Sequence, residues 1–124
     1  MSQSHVVSIV DDDRSVRTAT QTLIRSMGFK AAAFESAEDF LNSPEVETTD
    51  CLIADIQMPG MSGVDLQDAL VARNSKLPII FITAFPDDRI RERVLAAGAV
   101  CMLTKPCDGG KIEKYLEEAL SRRN

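Results

Sequence analysis

The sequence predicts an α/β domain: a doubly wound, five-stranded parallel sheet in the order 2-1-3-4-5, flanked by five helices. Three observations predict it. Short apolar runs alternate with stretches of helical periodicity. The strongest runs, Cys51 to Ala54 and Ile79 to Ile82, are apolar at every position, as in strands covered on both faces by helices. A chain of 124 residues makes one such domain, residues 1–124. Right-handed crossovers leave few topologies, and 2-1-3-4-5 is the common one at this length.

Val6-Val7-Ser8-Ile9-Val10 is the first strand, and Asp11-Asp12-Asp13 ends it. From Arg14 to Met27 the residues Val16, Ala19, Leu23, Ile24 and Met27 share one helical face, with Asp13 as N-cap and Gly28 as C-terminal stop. Lys30 to Phe34 is a second, weaker strand. Ser36 and Asp39 then give a capping signature ahead of Phe40-Leu41. Asn42 to Asp50, with Pro44 and several acidic residues, reads as a surface connection.

The third strand runs into Asp55, Pro59-Gly60 turns the chain, and Ser62 with Asp65 opens a helix to about Arg73 with Leu66, Ala69 and Leu70 inward. Pro78 precedes the fourth strand, which ends at Thr83. A helix from Asp87 to Ala97 turns Ile90, Val94 and Ala97 inward, and Gly98 stops it. Val100 to Leu103 is the fifth strand, closed by Thr104-Lys105-Pro106. The last helix, Asp108 to Arg122, buries Ile112, Tyr115, Leu116, Ala119 and Leu120, and Gly109-Gly110 eases entry into it.

Composition narrows the function. The net charge of −5 disfavours direct binding of nucleic acid, which is held mainly through Lys and Arg. No apolar run reaches the ~20 residues that span a bilayer, and Met1 to Ser4 lack a signal peptide's basic start. Cys51 and Cys101 sit inside apolar runs, as suits reduced, buried thiols in a cytoplasmic protein. His5 is read as solvent-exposed.

In this strand order the switch point, where open α/β sheets bind ligands, falls between strands one and three. Asp11 and Asp12 therefore adjoin Asp55, with Thr83 and Lys105 at the neighbouring strand ends. Taken singly, Thr83 is a β-former, Lys105 a surface lysine, and an acidic triplet a solvated one. Together they make a site. Three carboxylates repel unless a cation sits among them, and oxygen ligands with room for water suit Mg²⁺. A carboxylate beside Mg²⁺, with a lysine and a hydroxyl donor, is what phosphoryl transfer to an Asp nucleophile needs.

These residues, with Met58-Pro59-Gly60-Met61-Ser62-Gly63, Thr83-Ala84 and Lys105-Pro106, resemble the receiver domain of two-component response regulators over essentially the whole chain. The resemblance implies that Asp55 accepts a phosphoryl group from the phosphohistidine of a sensor histidine kinase or a histidine phosphotransfer protein. It implies that Asp12, Asp55 and the backbone carbonyl of Gln57 ligate Mg²⁺, with Asp11 acting through water. Lys105 would pair with the phosphate, Thr83 would hydrogen-bond it and move with it, and the Lys105–Pro106 peptide would be cis. It also implies an output surface of the fourth helix, fifth strand and fifth helix, used for a phosphorylation-dependent homodimer or a partner.

Phe34-Glu35-Ser36-Ala37-Glu38-Asp39-Phe40-Leu41 resembles the nitrogen-fixation regulator subgroup, whose members commonly carry a C-terminal helix-turn-helix domain. None follows Ser121-Arg122-Arg123-Asn124, so the chain reads as a stand-alone receiver or a fragment. Two departures are Met102, where receivers often have an aromatic switch residue, and Cys107, where Phe is frequent; a packed thiol is the reading of Cys107. A receiver of this kind is a switch that turns over its own phosphate slowly, and not a true enzyme. A dehalogenase-like phosphatase would want a second Asp where Gln57 stands, a nucleotide-binding domain a Gly-rich loop after strand one. A degenerate receiver, binding partners without phosphorylation, would lack site residues that are all present.

Overall fold

The computed structural model describes residues 5–122; the expectations for Met1 to Ser4 and for Arg123-Asn124 lie outside them. The elements in chain order are β1 (Val6–Val10), α1 (Arg14–Ser26), β2 (Lys30–Phe34), α2 (Ala37–Leu41), α3 (Glu45–Thr48), β3 (Cys51–Asp55), α4 (Gly63–Ala72), β4 (Ile79–Thr83), α5 (Asp88–Ala96), β5 (Cys101–Thr104) and α6 (Gly109–Arg122). The sheet order is β2-β1-β3-β4-β5, all parallel, as the sequence predicts.

The alternating side chains of the strands feed two cores. Val10, Leu52, Ala54 and Phe81 pack with Phe40, Leu66, Leu70 and Val94 of α2, α4 and α5 on one face. Val7, Ile9, Ile53, Ile80 and Ile82 pack with Ile24 of α1 and Ile112, Leu116 and Ala119 of α6 on the other. β3 and β4 are buried at every position, which is why their sequences are unbroken apolar runs.

Caps form where the sequence places them. Asp13 Oδ1 accepts from the backbone N–H of Ser15 (2.9 Å) and Val16 (3.2 Å), and Asp87 Oδ1 does the same for Arg89 and Ile90. At α4 a full capping box closes: Ser62 Oγ accepts from Asp65 N–H at 3.1 Å and Asp65 Oδ2 from Ser62 N–H at 3.1 Å. Gly98 ends α5 at φ +105°, a conformation that favours glycine.

Four expectations need correction. The connection from Asn42 to Asp50 contains a helical turn, α3, so the described residues form six helices rather than five; Pro44, at φ −65°, is already set for a helix start. In α1, Ala19 is exposed and Thr20 is buried, because the inward stripe rotates toward Ile24. Ala97, the C-cap of α5, is exposed where the chain leaves the helix and turns toward β5. His5 is partly covered: its Nδ1 lies 3.5 Å from Asp50 Oδ2, which also accepts the Val6 N–H at 2.8 Å.

Candidate phosphoacceptor site

β1 delivers Asp11 into the crevice between β1 and β3. Its N–H donates to Phe34 O at 3.1 Å, its carbonyl accepts from Arg17 Nη1 at 2.8 Å, and its Oδ1 accepts the Asp13 N–H at 2.9 Å. These bonds fix a fully buried carboxylate with Oδ2 turned into the site. Asp12, next in the chain, is exposed. Asp55, 4% exposed, comes from the end of β3, and the ligand oxygens of Asp11, Asp12 and Asp55 lie within 4.8 Å of one another.

Lys105 reaches in from the end of β5. Its N–H donates to Thr83 O at 2.8 Å, and its peptide bond to Pro106 is cis. Its Nζ stands 3.0 Å from Asp11 Oδ2 and 3.2 Å from Asp55 Oδ2. Thr83, 1% exposed, ends β4. Its hydroxyl donates to Gln57 Oε1 at 2.6 Å and accepts the Phe85 N–H at 3.0 Å. The floor is glycine: a Cβ on Gly63 would collide with the backbone carbonyl oxygen of Asp55, so α4 starts this close to the site only because residue 63 has no side chain.

The electrostatics follow from burial and crowding. Burial, then the neighbouring Asp11, pushes the Asp55 carboxyl up to about 6, against the opposing pull of Lys105. Burial alone would lower the Lys105 ammonium, but the carboxylates of Asp11 and Asp55 outweigh it and hold it above its ordinary value. Burial likewise raises the Cys107 thiol. With its Sγ donating to Thr104 O at 3.6 Å, Cys107 is a packed thiol and a poor thiolate.

The donor set fits a hard divalent cation. All candidate ligands are oxygens, two of the three carboxylates are buried, and Asp11 Oδ2 has no aligned hydrogen-bond donor, although Lys105 lies near it. A small cation with its waters would satisfy that oxygen and offset the crowding.

The structure thus brings Asp11, Asp12, Asp55, Thr83 and Lys105 to one crevice. Two contacts at the site were not anticipated from the sequence: the Gln57 side chain on Thr83, which no spacing rule signals, and Arg17 on the Asp11 carbonyl. Arg17 could have been suspected, since it sits one helical turn after Asp13 and faces back toward the end of β1.

Comparison with known proteins agrees with this geometry. The family model "Response regulator receiver domain" matches residues 7–117. Nodulation protein W of Bradyrhizobium diazoefficiens is 42% identical over 101 residues, 82% of this chain and 44% of that protein; the chain spans about half the length of the curated relatives it matches. The response regulator StyR superposes with a TM-score of 0.89 at 39% identity, covering 96% of this chain and 60% of that one. FixJ-N does so with a TM-score of 0.86 at 34% identity, covering 97% and 96%. The sheet order, the match along most of the chain and these relatives agree, and the chain belongs to the receiver domains of two-component response regulators.

Proposed function

We propose that Asp55 is a phosphoacceptor, loaded from the phosphohistidine of a sensor histidine kinase or histidine phosphotransfer protein, and that residues 1–124 form one receiver working in the cytoplasm. The observation that carries this reading is a nearly buried carboxylate, Asp55, wedged between the Lys105 ammonium and the acidic pair Asp11-Asp12. A carboxylate oxygen of Asp55 attacks phosphorus, the phosphorus–nitrogen bond of the phosphohistidine breaks, and an acyl phosphate forms while the imidazole leaves. Lys105, already beside Asp55, stabilises charge on the phosphoryl oxygens, and Thr83 donates a hydrogen bond to one of them. Asp12, Asp55 and the Gln57 backbone carbonyl would hold Mg²⁺ directly and Asp11 through water, and the metal supplies charge neutralisation at the phosphoryl group.

The chain is a switch in this reading, and hydrolysis of its own acyl phosphate is slow. Its output surface is α5, β5 and α6, where a groove of about 540 Å³ is lined by Arg91, Leu95, Met102, Lys111 and Tyr115 among others. Phosphorylation would drive self-association or partner docking there. Direct contact with nucleic acid or a membrane is not part of this segment's role; among the described residues no helix is long and apolar enough to cross a membrane.

The test is labelling with acetyl phosphate. The protein with Mg²⁺ should gain one acid-labile phosphoryl group by mass spectrometry, lost on chelation and in Asp55→Asn. Equal labelling of the Asn variant would sink the assignment.

A further inference from the structure

We propose that Gln57 is a positioning residue that acts through Thr83: its side-chain carbonyl captures the Thr83 hydroxyl and holds it away from the phosphoryl site, so that the unphosphorylated domain is latched off. The latch rests on the phosphoacceptor reading of Asp55.

Thr83 has one hydroxyl hydrogen, and it can point to only one acceptor at a time. That hydrogen goes to Gln57 Oε1 at 2.6 Å, at the short end for a hydroxyl bond. The Phe85 N–H occupies a lone pair of the same oxygen at 3.0 Å. Two bonds therefore hold the hydroxyl of a side chain that is itself 1% exposed, while its acceptor Gln57 is an exposed residue of the loop after β3.

A phosphoryl oxygen on Asp55 carries charge and is a stronger acceptor than an amide carbonyl. Turning the Thr83 hydroxyl toward it breaks the bond to Gln57, and the Phe85 amide must follow the oxygen or lose it. Phe85 is 70% exposed and lies in the loop between Thr83 and α5. The same rotation therefore reaches the start of the output surface. The strength of the Gln57 bond sets how often the unphosphorylated domain visits the rotated state.

Gln57→Met keeps the length and the backbone carbonyl while deleting the acceptor. In this variant the affinity for beryllofluoride, measured by titration with Mg²⁺ present, should rise roughly three- to tenfold, the span that losing one net hydrogen bond allows. In the metal-free protein the Phe85 amide resonance should shift. In a Thr83→Ala background the same Gln57→Met change should do nothing to beryllofluoride affinity, because there is no hydroxyl left to latch.

An equal gain with and without Thr83 would mean that Gln57 acts on the phosphoryl group directly, and would overturn the latch. Wild-type binding with Gln57→Met unchanged overturns the latch alone. A wild-type protein that takes up no beryllofluoride overturns the phosphoacceptor reading and the latch with it.

Discussion

The ammonium nitrogen of Lys105 lies 3.2 Å from Oδ2 of Asp55, so a cation from the end of β5 touches the carboxylate at the end of β3. The same nitrogen is 3.0 Å from Asp11. Removing it in Lys105→Met leaves two buried carboxylates facing each other. Breaking a buried ion pair from one side costs about 3–5 kcal/mol. Urea denaturation of the metal-free variant near neutral pH should show a loss of that order, smaller at about pH 5, where Asp55 is protonated. A loss independent of pH would assign the cost to packing instead.

Asp55 itself makes stability depend on pH. Its folded-state value of about 6 lies above the ordinary 3.8, so the folded protein binds the extra proton between the two. The stabilisation this provides is complete below about pH 4 and is lost as pH rises through about 6. It amounts to about 1–3 kcal/mol. Metal-free stability curves should show this decline, and Asp55→Asn should flatten it and be the more stable chain at neutral pH. Cation binding needs the ionised form, so Mg²⁺ affinity by calorimetry should fall on acidification below about pH 6.

Gly63 sets the distance between α4 and the site. In Gly63→Ala the new methyl meets the Asp55 carbonyl oxygen and the Ile56 Cα, both backbone and unable to turn aside. A destabilisation of roughly 2–4 kcal/mol is expected by denaturant melts, together with slower phosphorylation from acetyl phosphate. Near-wild-type behaviour in both would show that α4 can slide.

The proposed output surface is best probed away from Arg91. Arg91 Nη1 donates to the Met102 carbonyl at 3.0 Å, tying α5 to β5, so Arg91→Glu loosens the surface as well as reversing its charge. Lys111 is exposed and lines the same groove. With the beryllofluoride mimic, sedimentation velocity should show a dimer that Lys111→Glu weakens several-fold while melting behaviour stays unchanged. A dimer indifferent to Lys111→Glu would move the contact elsewhere.

The fold was legible because its signals are local and redundant. Asp13, Ser36, Ser62 and Asp87 each mark a helix start, and the apolar runs of β3 and β4 could be little else in a chain of this length. The site was legible because four strand ends carry its residues and parallel topology puts strand ends together. What stayed hidden depends on rotation and on long reach. Whether Ala19 or Thr20 faces inward turns on a fraction of a helical turn. Gln57 meets Thr83 across 26 positions, and no spacing rule connects them. Met102 reads as a smaller substitute for an aromatic gate, but it is 2% exposed, opposite Phe81 in the sheet. Met102→Phe therefore strains a filled core before it alters any switch.

The separation between Asp55 and Lys105 has a consequence for synthesis. Their side chains bond across 50 positions, and β5 is the last strand to leave the ribosome. Until then the emerging chain carries Asp11, Asp12 and Asp55 without Lys105 beside them. Their repulsion disfavours closing β1 against β3 early. The acidic crevice becomes comfortable only when the final strand docks, so the lysine that serves the finished site also favours completion of the sheet over a half-built one.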